Sequence, residues 1–236
     1  MANGNSLEKI LFLDIETVPA WPDYNSMPDD FRALWDHKSG YLKKSDADTP
    51  ELLYPRAGIY AEFGKIICIS AGYFNGDTFR MKSFYGDDEK EILTEFAGML
   101  NKFCKSPEYA LAAHNGKEFD FPYISRRMLV HQIPLPIVLD NQGRKPWEVT
   151  FIDTMEMWKF GDFKHYTSLA LLAALFGLPT PKGDLDGSQV ARVYYQEHDL
   201  ERIARYCQND TLTVARLYCK FRLLPPPADH QVIIIS

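Results

Sequence analysis

Lys9-Ile10-Leu11-Phe12-Leu13-Asp14-Ile15-Glu16-Thr17 is a short apolar run that ends in two carboxylates. The segment Ile10 to Leu13 lacks polar alternation, so it reads as a strand covered on both faces, as at the centre of an α/β sheet. On an extended backbone, residues i and i+2 point to the same side. If the strand persists through Glu16, Asp14 and Glu16 therefore face one spot at its C-terminal end. Like charges placed this way need a cation or a shared proton where water is partly excluded. The plainer alternative is a solvated strand end with acidic residues opening a loop. The rest of the chain decides between them.

With 236 residues, 46% hydrophobic and 25% charged, the composition is that of a globular protein. The length suits one α/β domain with an insertion. Cys68, Cys104, Cys207 and Cys219 lie far apart, with no Cys-x-x-Cys pair and with apolar neighbours. They read as reduced core residues in a cytoplasmic protein, neither zinc ligands nor disulfides. No signal peptide or membrane span is seen, and the run Val232 to Ile235 is far too short to cross a bilayer. A net charge of −6 argues against bulk nucleic-acid binding. That objection weakens if several of the acids hold metal.

Around the opening strand, the expected order is strand, hairpin, helix, strand, helix, strand, helices. The insertion runs from about Val18 to Glu62, punctuated by Pro19, Pro22, Pro28, Pro50 and Pro55. One helix is expected inside it, opened by Pro28, with Phe31, Leu34 and Trp35 on one face. Strands follow at Lys65–Tyr73 and Thr78–Phe84, joined by the hairpin signal Asn75-Gly76-Asp77. Asp87 or Asp88 caps an amphipathic helix carrying Ile92, Leu93, Phe96, Met99, Leu100 and Phe103. A strand at Tyr109–Ala113 leads into a helix from about Phe119 to Val130. Another strand is expected at Val149–Asp153. Thr167 or Ser168 opens a helix closed by Gly177, and the loop Pro179–Gly187 is polar. Ser188 is expected to cap a short helix through Tyr195, and the last helix starts at Asp199. A short tail, 225–236, follows. The fold class expected is α/β: a mixed sheet with helices on both faces, one strand running antiparallel because of the hairpin.

Two further acids complete a constellation. Asp120 opens a helix, where the backbone dipole and free amides favour negative charge, a common place for Asp in any case. Asn115, just before, reads equally as a turn residue. In the last helix Ile203, Cys207, Val214 and Leu217 mark an apolar seam, and Asp210 falls on it. A carboxylate there should be buried and needs a partner. Tyr206, at i−4, covers the same helix face. Asp153 ends a strand and reads as a structural acid. Four acids from three segments, Asp14, Glu16, Asp120 and Asp210, can then converge beyond the carboxyl ends of the strands. All-oxygen acidic clusters suit Mg²⁺ or Mn²⁺.

Asp14-Ile15-Glu16-Thr17, Asn115-Gly116-Lys117-Glu118-Phe119-Asp120 and Tyr206-Cys207-Gln208-Asn209-Asp210 resemble the three motifs of the DEDD superfamily of 3′–5′ exonucleases, tyrosine subclass (DEDDy). Arg205 stands where the histidine subclass would carry its histidine. Glu62-Phe63-Gly64-Lys65-Ile66 and Asp186-Gly187-Ser188-Gln189-Val190 resemble predicted exonucleases related to the proofreading domain of family-B DNA polymerases. The resemblance runs from Leu11 to about Phe221 and leaves no room there for a polymerase domain. It implies a ribonuclease-H-like fold and two ions, Mg²⁺ or Mn²⁺, held by Asp14, Glu16, Asp120 and Asp210. It also implies that Tyr206 orients the attacking water, and that Thr17, Asn115 and Phe119 lie by the substrate. The implied reaction releases 5′-mononucleotides from 3′ ends, single-stranded DNA in particular, with a separate polymerase or repair complex as an open partner and no membrane. A nucleotide phosphohydrolase built on the same acids and a catalytically idle nucleic-acid-binding module are the rivals. The insertion, with Trp21, Tyr24, Trp35, Lys38, Lys43, Lys44 and Arg56, is expected to grip the terminal nucleotides, Trp21 by stacking. Packing of those aromatics against the sheet is the alternative.

Overall fold

The computed structural model describes residues 6–162, 166–179 and 185–235. Its centre is β1 (Ile10–Pro19). Alternation along β1 divides the core in two. Leu11, Leu13 and Ile15 pack under α3 (Glu89–Phe103) and α4 (Asp120–Val130). Ile10 and Phe12 face the other way, onto Val214, Ala215 and Tyr218 of α8 (Leu200–Phe221). Both faces of β1 are covered, which is why its sequence carries no polar alternation before Asp14. Each fully buried large apolar side chain contributes about 1.5–3 kcal/mol, and Ile10, Leu13 and Phe12 are wholly enclosed.

The sheet has six strands in the order β5-β4-β1-β2-β3-β6, the last being Val232–Ile234. β2 (Gly64–Asn75) is antiparallel to β1 and to β3 (Thr78–Tyr85), whereas β4 (Ala110–Ala113) and β5 (Ile152–Asp153) run parallel to β1. The β2–β3 loop is Gly76-Asp77, closed by the pair Asn75↔Thr78. Gly76 takes φ +58° at the first central position, as a type II′ turn requires. A register shift lies between the pairs Glu16↔Cys68 and Thr17↔Ile66, leaving Ile67 of β2 as the extra residue. Bulges of this kind re-aim a strand end, and this one sits where the two acids emerge.

Caps explain most helix starts. Asp88 accepts from the amides of Lys90 and Glu91, Ser168 Oγ from Leu171, and Asp199 from Arg202. The insertion holds α1 (Asp29–Gly40), α2 (Pro50–Leu53) and a 3-10 segment, Tyr54–Ile59, and builds its own small core around Trp35, Met27, Tyr54 and Phe63.

Several expectations need correction. The strand at 149–153 shrinks to Ile152–Asp153, which pair with Ala112 and Ala113 of β4; the preceding Phe151 packs its ring on Phe121 at a centroid distance of 4.1 Å. α5 (Thr154–Lys159), α6 (Leu169–Leu175) and α7 (Val190–Arg192) follow. Ser188 caps nothing: its amide and hydroxyl both donate to Asp186, and a π-turn at Val193–Glu197 follows α7. Most of the polar loop expected at 179–187 lies outside the described residues. Leu34 on α1 is exposed, since the helix buries only Trp35 and Ser39. β1 extends to Pro19, so the irregular segment starts later than Val18. The tail is no loose end: Val232–Ile234 forms β6, parallel to β3 at the sheet edge. No helix among the described residues is long and apolar enough to cross a membrane.

Candidate active site

Asp14 and Glu16 leave β1 on the face toward α8. There the Cys207 thiol donates to the Asp14 carbonyl oxygen at 3.3 Å. Carboxylate oxygens of Asp14 and Glu16 and the Cys207 sulfur lie within 4.8 Å of one another. Asp14 is half-buried and Glu16 is 7% exposed. Burial first, then repulsion from Glu16, Asp210 and Asp120, holds the Asp14 carboxyl well above the usual carboxylate range. Glu16 is pushed up by burial first, then by Cys68, Asp210 and Asp120.

Asp120 arrives from the opposite face, at the first residue of α4 and 3% exposed. Burial raises it to about 7, opposed by hydrogen bonds from its own amide and that of Ile15. The turn that delivers it is specified residue by residue. Asn115 adopts φ +62°, a conformation asparagine tolerates better than most. A Cβ on Gly116 would sit 2.4 Å from the Ala113 Cβ and 2.9 Å from the Phe121 ring. Asp153 then fastens the turn: its carboxylate accepts from the amides of Asn115 (3.0 Å) and Lys117 (3.1 Å) and from Met155 and Glu156 at the start of α5. A carboxyl with four amide donors is committed to structure.

Asp210, on α8, is half-buried, less enclosed than its place on the seam implied. Burial raises it to about 6, and the Tyr206 hydroxyl one turn before lowers it. Burial, followed by Asp210, Glu16 and Asp14, pushes the Tyr206 phenol far up, so it stays protonated and cannot serve as a base at neutral pH.

A cleft of about 680 Å³ is lined by Asp14, Glu16, Thr17, Asn115, Phe119 and Asp120. An adjoining one of about 340 Å³ is lined by Asp14, Tyr206 and Asp210, and the two share Asp14, His114 and Tyr166. All four acids, Tyr206, Thr17, Asn115 and Phe119 thus line one continuous depression. Trp21 does not line it. The chain turns away after Pro19: Trp21 exchanges backbone hydrogen bonds with the Tyr54 hydroxyl, and its ring packs on Phe31. The insertion lines the cleft instead through Pro55, Arg56, Gly58 and Ile59.

The donor set fits hard divalent cations. None of the four acids is ion-paired among the described residues, yet burial and mutual repulsion disfavour their charge. The Asn115 side-chain oxygen is buried without a hydrogen-bond partner in the same cleft. All-oxygen sites suit Mg²⁺ or Mn²⁺. The thiol of Cys207, raised by burial and the nearby Cys68, stays neutral and backs the site.

Sequence reasoning missed two residues. His114 bonds Thr154 Oγ1 at 2.9 Å and the Thr167 carbonyl at 2.8 Å, which ties β4 to the loop before α6. Burial lowers its pKa, so the neutral ring donates to the Thr167 carbonyl. Its position directly before Asn115-Gly116 was the available signal. Tyr166, 71% exposed at the junction of the two clefts, had none.

A mixed sheet of this order with an acidic cleft at the end of its central strand is a ribonuclease-H-like arrangement. Comparison with known proteins makes the assignment specific. Residues 59–231 match the family described as predicted 3′–5′ exonuclease related to the exonuclease domain of PolB, and the chain belongs to that family. Asp14 and Glu16 precede the matched residues, so their place in the site rests on the geometry above. A protein named DNA polymerase from Thermococcus gorgonarius is 25% identical over 147 residues, and another from Desulfurococcus sp. (strain Tok) is 25% identical over 146. Each alignment covers 56% of this chain and 18% of the relative, so the chain corresponds to a small part of either. Among solved structures, the family B DNA polymerase of Pyrobaculum calidifontis is similar with a TM-score of 0.56 and 16% identity, over 91% of this chain and 24% of that one. That likeness is one of fold.

Proposed function

We propose that the protein is a metal-dependent 3′–5′ exonuclease that releases 5′-mononucleotides from single-stranded DNA ends. The observation that carries the reading is the convergence of four carboxylates from β1, α4 and α8 on one cleft, none of them ion-paired among the described residues.

Asp14, Glu16, Asp120 and Asp210 are the groups that would hold two Mg²⁺ or Mn²⁺ ions. Bound there, such ions supply Lewis-acid neutralisation of phosphodiester charge and activation of water. Tyr206, protonated at working pH, orients the attacking water by hydrogen bonding and does not remove its proton. Thr17, Asn115 and Phe119 form the wall against which the terminal nucleotide is held, and the unpaired Asn115 oxygen is an acceptor waiting for a donor. Membership of the family supports the reaction type, and the polymerase names of the relatives support DNA as substrate.

One assay separates this reading from its rivals. A 5′-labelled oligonucleotide incubated with protein and Mg²⁺ or Mn²⁺ should shorten from its 3′ end and stop doing so in chelator. Hydrolysis of free nucleotides without a ladder would make the protein a phosphohydrolase, and a gel shift alone would make it a binding module.

A further inference from the structure

Arg56 is the one lysine or arginine among the described residues that line the 680 Å³ cleft. It is exposed, and among the described residues it makes no hydrogen bond or ion pair, not even with the acids that share the cleft. The backbone that carries it is held in place. The 3-10 segment Tyr54–Ile59 lies so close to β1 that a Cβ on Gly58 would approach the Val18 carbonyl carbon to 2.9 Å and the Pro19 nitrogen to 3.0 Å. Tyr123 Oη donates to the Gly58 carbonyl at 2.9 Å, and Arg127 Nη1 donates to the Ala61 carbonyl at 2.9 Å. Both come from α4, the helix that begins with Asp120. The shelf carrying Arg56 is thereby fixed to two of the elements that carry the acids. Position 56 precedes the residues matched by the family.

From this placement we infer that Arg56 positions the substrate by contacting a phosphate next to the scissile one, through a charge-assisted, two-pronged hydrogen bond from its guanidinium. The inference rests on the exonuclease reading. A protein of net charge −6 repels a polyanion, so a cation carried on a fixed backbone at the cleft wall is what draws the strand into register. Because the contact is to a neighbouring phosphate, it acts on an oligonucleotide and far less on an ester that carries only the scissile group.

The test uses the full chain with Arg56→Gln and Arg56→Lys. Binding of a fluorescent single-stranded oligonucleotide is followed by anisotropy in Ca²⁺ over a range of salt. Hydrolysis of the oligonucleotide and of thymidine 5′-monophosphate p-nitrophenyl ester is followed in Mn²⁺. Arg56→Gln should bind about tenfold more weakly, as expected for losing a hydrogen bond to a charged group. The slope of log affinity against log salt should become shallower by about 0.7, one phosphate contact on a single strand. Its loss in kcat/KM should be about tenfold greater on the oligonucleotide than on the ester, by the same arithmetic. Arg56→Lys should recover the salt slope but not the full affinity. An Arg56→Gln protein of unchanged melting temperature with wild-type affinity and slope overturns the inference alone. Equal losses on both substrates overturn it too, by placing Arg56 at the scissile phosphate. A wild-type protein that neither binds the oligonucleotide nor cleaves either substrate overturns the exonuclease reading, and this inference with it.

Discussion

Asp14 and Asp210 have different neighbours but share one expected role. Asp14 sits where Glu16, Asp120 and Asp210 all act on it, whereas Asp210 has the Tyr206 hydroxyl as a neutral partner. Under the proposed mechanism, Asp14→Ala and Asp210→Ala should each lower exonuclease turnover by at least about 10³-fold, the scale of losing a group that stabilises charge in the transition state. Full activity in either variant would remove the two-ion reading. In metal-free protein Asp210→Asn should leave the melting temperature unchanged or raise it, since it deletes a repelling charge and keeps the shape. Strong destabilisation without metal would instead mark Asp210 as a structural partner of a cation. The pH dependence follows from the same groups. A carboxyl whose folded pKa is raised supports the fold fully below its unfolded pKa and loses that contribution as pH rises through the folded value. For Asp120 and Asp210, raised from 3.8 to about 7 and about 6, the window runs from about pH 4 to pH 7. Protons and Mg²⁺ compete for these oxygens, so the rise in melting temperature produced by millimolar Mg²⁺ should grow between pH 5 and pH 8. A rise independent of pH would show that the ion binds elsewhere.

At the level of elements, the site depends on how closely three backbones approach. Gly58 touches β1, Gly64 leaves room for the Tyr123 hydroxyl, and Gly116 lets the turn before α4 close against Ala113. The obstacles around Gly58 are mainly backbone atoms of Val18 and Pro19, which cannot swing aside. Gly58→Ala should therefore cost about 1–3 kcal/mol, the usual penalty for overpacking, measurable by denaturant titration. It should also weaken oligonucleotide binding, because the shelf bearing Arg56 moves with it. A Gly58→Ala protein as stable as wild type would mean that the shelf gives way freely. Gly98 offers a control on α3, where an added Cβ would meet nothing within 4 Å.

At the level of the molecule, the sheet edge is closed by the C-terminal strand. Phe79, Arg80 and Met81 of β3 pair with Val232, Ile233 and Ile234 of β6. The segment between α8 and β6 is tied down by Arg216, 5% exposed, which donates to the Pro227 carbonyl at 3.0 Å and to Asp229 at 2.6 Å. A chain ending at Leu224 would remove both hydrogen bonds to that guanidinium, at a cost of about 3 kcal/mol. For a domain of this size the melting temperature should fall by roughly 6–12 °C. Turnover per folded molecule should be retained, because β6 lies three strands from β1. Lost turnover in folded, truncated protein would show that the edge strand reaches the site.

The sequence by itself determined the central strand, the hairpin and most helix starts, because these depend on neighbours a few residues apart. An unbroken apolar run, Gly76 in a turn, and Asp88, Ser168 and Asp199 as caps state their roles locally. The direction of Asp14 and Glu16 was equally local, since strand geometry sends i and i+2 to one side. Only the tertiary structure decided what surrounds them. That Asp153 is occupied by four amides, that Trp21 turns into the insertion's own core, and that Arg56 and Tyr166 reach the cleft are consequences of contacts between distant segments. The tail strand was hidden for the same reason. Val-Ile-Ile is apolar enough for a strand, but its partner β3 lies roughly 150 residues earlier, where no local pattern points.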